Sequence, residues 1–229
     1  MPGAAPRMRR SIAELAPARV SDTLEFFIDL LAAVPSVIYG VLGVFVVVPL
    51  MRSYIQPALK NTLGFLPLFM GPTYGIGFLT AGVVLAIMVI PYIISVSREV
   101  LLSVPRDQRE AALSLGATRW ESTWKVVVPF ARPGIFGSIF LALARALGET
   151  MAVTMVIGNT PAISASLFSP GYSIAAVIAN ELTEATSNLH YQSLIELGLV
   201  LFLLTFILNG LARLLIVATS RRGAGVGNA

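Results

Sequence analysis

The stretch IGFLTAGVVLAIMVIPYIISVS, residues Ile76–Ser97, decides the fold class of this chain. It contains no charged side chain and lies inside an uncharged run that extends from Asn61 to Ser97. A membrane-spanning helix needs about 20 predominantly apolar residues, because the hydrocarbon core of a bilayer is about 30 Å thick. The stretch therefore predicts a transmembrane helix. Pro91 lies within it, but neighbouring helices in a membrane bundle satisfy the carbonyls that a proline frees.

The composition of the whole chain agrees with a membrane protein. Of its 229 residues, 56% are hydrophobic and only 12% are charged, and the mean hydropathy is +0.82. A soluble domain carries about twice that share of charge, so an ordinary soluble enzyme is disfavoured. The chain has no cysteine and one histidine, which excludes disulfides and thiolate metal sites. None of the motifs GxxxxGK[ST], HExxH or GxSxG occurs, so ATP hydrolysis and the familiar hydrolase reactions are not expected of this chain.

Three further stretches are long and apolar enough to cross a membrane. They are Leu24–Leu50, Gly134–Gly158 and Leu194–Ala218. Together with the first stretch they predict four spans, and the expected fold is an all-α polytopic membrane bundle. Its transmembrane domain is predicted over residues 24–218, preceded by a basic arm (1–23) and followed by a short tail (219–229).

The positions of the basic residues predict how the bundle is oriented. Twelve Lys and Arg residues lie in segments 1–23, 98–132 and 219–229, whereas the other connections hold only Arg52 and Lys60. Cytoplasmic connections carry an excess of Lys and Arg, so both termini and segment 98–132 are predicted to lie in the cytoplasm. Four spans give the parity that this orientation requires.

One apolar segment between the third and fourth spans admits two interpretations. Ile163–Asn180 is rich in apolar and small residues but is broken by Ser169-Pro170-Gly171. We interpret it as a re-entrant or interfacial piece. A fifth span is the alternative, and it would place Arg221 and Arg222 outside the cell, against the distribution of charge.

The predicted cytoplasmic segment VPRDQREAALSLGATRWESTWKVVVP, Val104–Pro129, has the pattern of two short helices. Acidic residues in the first turns and a proline at the start favour one helix over 107–115. Gly116 then signals a helix stop, and a second helix is predicted over 118–125, before the prolines at 129 and 133. Trp120 and Trp124 are four residues apart and share a helix face that could lie at the membrane surface. An ordinary charged connection between spans is the simpler interpretation of this segment.

The same segment resembles the EAA loop of ABC importer permeases. The match consists of Glu110-Ala111-Ala112, three residues, Gly116, nine residues, and then Val126-x-Val128-Pro129, where the family has Ile and Leu-Pro. In that family the loop is a coupling helix that docks into a groove of the ATPase subunit. The resemblance implies this role for Glu110, Ala111, Ala112 and Gly116. Small alanines permit close approach of a partner, and a glycine permits the turn.

Two opposite charges interrupt the third predicted span. Arg145 and Glu149 are four residues apart, so a continuous helix would place them on one face. A charge at the bilayer centre costs roughly 2.5–3.5 kcal/mol on insertion scales, so these side chains are expected to face the bundle interior, a partner or a water-filled path. One interpretation is an ion pair within the helix that fixes packing. The other is a substrate path in which Arg145 meets an oxyanion and Glu149 orients Arg145. A guanidinium makes bidentate contacts with such oxyanions.

A wider resemblance sharpens the second interpretation. RALGETMAVTMVIGN (Arg145–Asn159), DLLAAVPSVIYG (Asp29–Gly40) and GFLTAGVVLAIMVIPYI (Gly77–Ile93) resemble the C-type permease subunits of phosphate ABC importers. The likeness covers about residues 12–217. It implies a role in phosphate passage for Arg145 and Glu149. In the family, earlier membrane helices precede the segment that SIAELAP (residues 11–17) resembles, so the first two spans are expected to be missing here.

The resemblance implies a permease subunit of an ATP-driven phosphate importer with the fold of type I importers. The implied partners are a second permease, a cytosolic ATPase dimer that binds the ATP, an extracytoplasmic phosphate-binding protein, inorganic phosphate and the lipid bilayer, and no nucleic acid. The chain itself is expected to hold no cofactor or metal and to be a multi-pass protein of the inner or plasma membrane. The alternatives are a permease for another oxyanion, or a truncated membrane fragment that does not transport.

Overall fold

The computed structural model describes residues 18–224, and the regular structure in that range is helical. Four of its helices are long and apolar enough to cross a membrane, as the sequence predicts. The predicted arm and tail lie largely outside the described residues. The helices are α1 (Ala18–Ala33), α2 (Ser36–Leu63), α3 (Phe78–Leu102), α4 (Arg106–Ser114), α5 (Arg119–Leu147), α6 (Met151–Ile157), α7 (Ile174–Glu181) and α8 (Asn188–Ala224), of which α2, α3, α5 and residues Asn188–Leu214 of α8 are the four candidate spans.

The structure corrects the predicted bounds of two spans. The helix predicted over Leu24–Leu50 is interrupted at Pro35, whose extended ψ of 140° separates α1 from α2. The helix predicted over Gly134–Gly158 is interrupted between Leu147 and Met151. Apolar composition alone does not reveal such breaks, because the residues on both sides of each break remain apolar. The other two predicted spans differ from α3 and α8 mainly at their ends.

Three of the five prolines inside the spans follow widened helical turns, whereas Pro91 and Pro133 lie within α-helix. Three π-helical segments occur in α2 and α5, and each ends two residues before a proline. A proline ring clashes with the carbonyl four residues earlier and lacks the N–H that would bond to it. A π turn shifts the hydrogen bonds to a spacing of five residues and thereby accommodates the ring. The helix therefore continues through prolines that the sequence pattern treats as stops. The pairs are Gly43–Val47 with Pro49, Met51–Ile55 with Pro57, and Thr123–Val127 with Pro129.

The described residues form two compact units. The first contains α1, residues 91–142 and the end of α8 from residue 209. Polar contacts hold α1 to α3 in this unit: Arg98 forms an ion pair with Glu25 at 2.5 Å, and Ser95 donates a hydrogen bond to Asp29 at 2.9 Å. A small apolar core then fixes the connection between α3 and α5. It consists of Val104, Val127 and Ala131, with Val100, Leu101 and Ile135 packed against them.

The second unit contains residues 34–90 and 143–208, and its centre is the contact between α2 and α6. Gly40 and Gly43 form this contact. A Cβ built on Gly40 would lie 2.6 Å from the sulfur of Met155, and one built on Gly43 would lie 2.8 Å from a methyl group of Val156. Small residues therefore let the two helices approach closely, which is how membrane helices commonly associate.

Two irregular segments of the second unit are joined by backbone hydrogen bonds. Leu167 donates to the carbonyl of Leu68 and accepts from the amide of Leu79, both at 2.8 Å. Phe168 is fully buried and packs edge-to-face against Phe69. Residues 163–173 are not helical and α7 has eight residues, so the alternative of a fifth span in this segment is wrong.

Candidate functional sites: the α4–α5 connection and the α5–α6 break

The connection between α4 and α5 has the two-helix form that the sequence predicts. Helix α4 ends in a left-handed turn, in which Gly116 has φ +86°. The Gly116 amide bonds to the carbonyl of Leu113, and the Ala117 amide bonds to that of Ala112. This is the Schellman arrangement, which satisfies the last carbonyls of a helix. Helix α5 then begins with a capping box, in which the Thr118 hydroxyl accepts from the Glu121 amide and the Glu121 carboxylate accepts from the Thr118 amide.

Residues of the α4–α5 connection line an open cavity of about 500 Å³. Ala111, Ala112 and Gly116 line it, so three of the four residues singled out from the EAA resemblance share one concave surface. Ala112 is buried against the first unit, whereas Ala111 and Glu110 are exposed, and Glu110 does not line the cavity. The other lining residues were not predicted, and they are Gln108, Leu115, Ala117, Glu121, Ser122, Lys125 and Val126.

Leu115 is the most informative of the unpredicted residues. Its side chain is 89% exposed at the C-terminal end of α4, and Leu113, Trp120 and Trp124 of the same connection are exposed as well. A leucine directly before a helix-stopping glycine is the sequence signal that could have indicated it. On the opposite border, Lys125 pairs with Glu121 at 3.3 Å, so this border carries both signs of charge.

The second candidate site lies where the helix predicted over Gly134–Gly158 is interrupted. Arg145 is in the last turn of α5, and Glu149 precedes the first turn of α6. The spacing predicts that the two residues share one helix face. The break separates them, so that prediction is wrong. The Glu149 carboxylate instead accepts a hydrogen bond from the Ala152 amide at 3.2 Å and so caps α6.

Each charge at the break complements the end of its own helix. Arg145 lies at the C-terminal, partially negative end of α5, and Glu149 lies at the N-terminal, partially positive end of α6. Each such placement stabilises the charged residue by about 0.3–1 kcal/mol. The Arg145 side chain is exposed on the described chain.

Comparison with known proteins gives consistent matches over nearly the whole chain. The family described as binding-protein-dependent transport system inner membrane component matches residues 11–221. A phosphate transport system permease protein PstC of Xylella fastidiosa is 50% identical over 215 residues, which is 92% of this chain. The PstC of Pasteurella multocida is also 50% identical, and a probable PstC of Methanocaldococcus jannaschii is 40% identical over 198 residues. The chain spans about two thirds of the length of these relatives, between 62% and 67%.

A solved structure shows the same fold. The structure of inward-facing conformations of the MetNI methionine ABC transporter matches with a TM-score of 0.58 at 17% identity. The match covers 93% of this chain and 82% of the matched chain. At this level of identity the likeness concerns the fold alone.

Proposed function

Because this chain belongs to the family of binding-protein-dependent transport system inner membrane components, we propose that it is a permease subunit of an ATP-driven importer of inorganic phosphate. The observation that carries the proposal is the 50% identity to phosphate permeases over 92% of the chain. A second permease completes the translocation path. An extracytoplasmic binding protein delivers phosphate, and a cytosolic ATPase dimer drives the transport cycle. The chain lies in the inner membrane with both termini in the cytoplasm.

The α4–α5 connection is the proposed contact with the ATPase. Glu110 and Ala111 are exposed on α4, where they are accessible to a partner, and Ala112 anchors the helix by burial against its own unit. The left-handed turn at Gly116 fixes the angle at which the chain leaves α4 for α5. Movement of α4 would therefore be passed to α5, the span that carries Arg145 in its last turn.

The α5–α6 break is the proposed substrate path. Arg145 supplies a cationic group with several donors, which suits the oxygens of phosphate. Glu149 supports the path indirectly, because its carboxylate caps the helix that follows the break. Arg145 is favoured at the end of α5 by the helix dipole, which helps to keep a charge in an apolar segment.

The experiment that tests the function is phosphate uptake in cells that lack their own C-type permease and retain its partner subunits. This 229-residue chain, an N-terminally extended form and an Arg145→Gln variant are compared at equal membrane levels. We expect phosphate uptake that Arg145→Gln abolishes, because glutamine cannot replace the charge. Arg52→Gln is the matched control, since Arg52 also lies in an apolar span and outside the proposed path.

The alternatives predict different outcomes of the same assay. Uptake of sulfate or molybdate in preference to phosphate would identify an importer of another oxyanion. Uptake only by the extended form would identify the 229 residues as part of a longer transporting chain. Undiminished phosphate uptake by Arg145→Gln would remove Arg145 from the path and leave it a structural residue.

A further inference from the structure

The first turns of α5 carry an exposed pair of tryptophans. Trp120 and Trp124 are 57% and 54% exposed, and their ring centroids are 5.6 Å apart. Neither tryptophan lines the cavity of the α4–α5 connection, to which Glu121, Ser122 and Lys125 of the same turns contribute. The start of α5 therefore presents two different surfaces. One lines the cavity, and the other, the tryptophan surface, is formed by Trp120 and Trp124.

The tryptophan surface lies where α5 leaves the bilayer. Both tryptophans are in the first two turns of α5, and α5 is one of the four candidate spans. An indole ring is largely apolar but carries one N–H donor, so tryptophan is enriched where the hydrocarbon core meets the polar headgroups. The two rings therefore suit the headgroup layer of the membrane better than they suit water or the hydrocarbon core.

Basic side chains accompany the tryptophans at this end of α5. Arg119 directly precedes Trp120, Arg132 follows Trp124 by eight residues, and both arginines are exposed. Side chains of a helix lean toward its N-terminus, and long basic side chains reach out of apolar surroundings to the headgroup layer. Both guanidinium groups are therefore within reach of the layer that the indoles occupy. A guanidinium binds phosphate oxygens with two hydrogen bonds, and a net negative headgroup adds electrostatic attraction.

We propose that the tryptophan surface, together with Arg119 and Arg132, binds the headgroups of anionic phospholipids and holds the start of α5 at the membrane surface. The cavity then stays open to a protein partner, because the two tryptophans do not contribute to it. The proposal depends on the membrane location of the chain and not on the identity of the transported solute.

The first test uses the fluorescence of the chain itself. Trp120 and Trp124 are its two tryptophans, so the emission reports this surface directly. The chain is placed in nanodiscs of phosphatidylcholine brominated near the headgroup, and separately exposed to aqueous acrylamide. We expect the brominated lipid to quench both tryptophans and acrylamide to quench them little, with Trp120→Phe and Trp124→Phe separating the two contributions. Strong quenching by acrylamide and none by brominated lipid would overturn the proposal and leave this surface to a protein partner.

The second test concerns the charge of the lipid. Nanodiscs are prepared from brominated phosphatidylcholine mixed with unlabelled phosphatidylglycerol or with unlabelled phosphatidylcholine, and the relief of quenching is compared. We expect phosphatidylglycerol to relieve quenching at a lower mole fraction. Arg119→Gln and Arg132→Gln should each reduce this preference by about fivefold, which is the effect of one basic residue at an anionic surface.

Arg52→Gln is the matched control for the two arginine variants, because Arg52 is an exposed arginine of another candidate span. It should retain the wild-type preference for phosphatidylglycerol. An equal effect of the two lipids on the wild-type chain would overturn the proposal. An unchanged preference in both Arg119→Gln and Arg132→Gln would overturn it as well.

Discussion

Gly116 is the residue whose backbone conformation matters most for the α4–α5 connection. Its φ of +86° is in the left-handed region, which costs a residue with a Cβ roughly 1–2 kcal/mol. No atom lies within 4 Å of the position that its Cβ would occupy, so the space for a side chain is available. The requirement for glycine is therefore one of backbone conformation and not of crowding.

This distinction leads to a paired prediction. Gly116→Val should distort the turn and uncouple ATP hydrolysis from phosphate uptake, because a β-branched residue disfavours the left-handed conformation. Gly116→Asn should retain coupling, since asparagine adopts that conformation far more readily. The measurement is the ratio of ATPase activity to uptake in the assembled complex. Equal ratios for the valine and asparagine variants would argue against a role of the turn in coupling.

At this scale the sequence predicted more about the connection than about the break. The glycine after a short helical pattern correctly indicated the end of α4, because a helix stop is a local property. The prediction that Arg145 and Glu149 share a helix face was wrong, because it assumed that the helix continues from one residue to the other. The break begins at Gly148, directly after the last residue of α5, and the spacing of the two charges takes no account of this helix-stopping residue.

At the scale of the helices, two glycines differ in how closely a neighbouring helix approaches them. Gly43 of α2 packs between α6 and α3: a Cβ at this position would lie 2.8 Å from Val156 and 3.0 Å from Val84. Both neighbours are buried, so neither can move freely. Gly82 is a glycine of α3 whose Cβ position has no atom within 4 Å.

The two glycines provide a test of helix packing. Gly43→Ala should destabilise the protein by about 1–3 kcal/mol through overpacking. Gly82→Ala should be neutral or slightly stabilising, because alanine is the better helix former and meets nothing there. Thermal unfolding of the purified chain in one detergent gives the comparison. Equal melting temperatures for the two variants would show that the close approach of α2 and α6 at Gly43 does not limit the stability of the protein.

The spans show why their bounds are harder to predict than their number. Hydropathy indicates how much apolar sequence is available, and four candidate spans are found as predicted. Where a helix stops depends on how each proline is accommodated. Pro49, Pro57 and Pro129 follow π turns and do not end their helices, whereas Pro35 directly precedes the start of α2. Composition does not distinguish these two outcomes.

The orientation of the whole molecule is a prediction from its basic residues. The chain contains no cysteine, so any introduced cysteine is its sole labelling site. Ser114→Cys, in the α4–α5 connection, should react with a membrane-impermeant maleimide only after the cells are permeabilised. Thr186→Cys, between α7 and α8, should react in intact cells. Both side chains are exposed, so the reversed pattern would show that the termini lie outside the cell.

At the scale of the whole molecule, physical properties and family resemblance predict different features. Composition and charge predicted a four-span helical membrane protein and its orientation, but not its cargo. The EAA pattern and the Arg145–Asn159 segment indicated the family, which the matches over residues 11–221 confirm. The cavity beside α4 was not predicted, because it is formed by residues from two helices that meet only in the folded connection.

The hydrogen bonds between the two irregular segments of the second unit have a consequence for biosynthesis. Leu68 and Leu167 are partners in the fold but are 99 residues apart in the chain. Ribosomes add about 5–20 residues per second, so the first segment waits roughly 5–20 s for its partner to be synthesised. During that interval the Leu68 carbonyl lacks the amide of Leu167 as its partner and is left to water, lipid headgroups or the insertion machinery. Slowing translation between the two segments should therefore lengthen the time for which the nascent protein is open to proteolysis at this point.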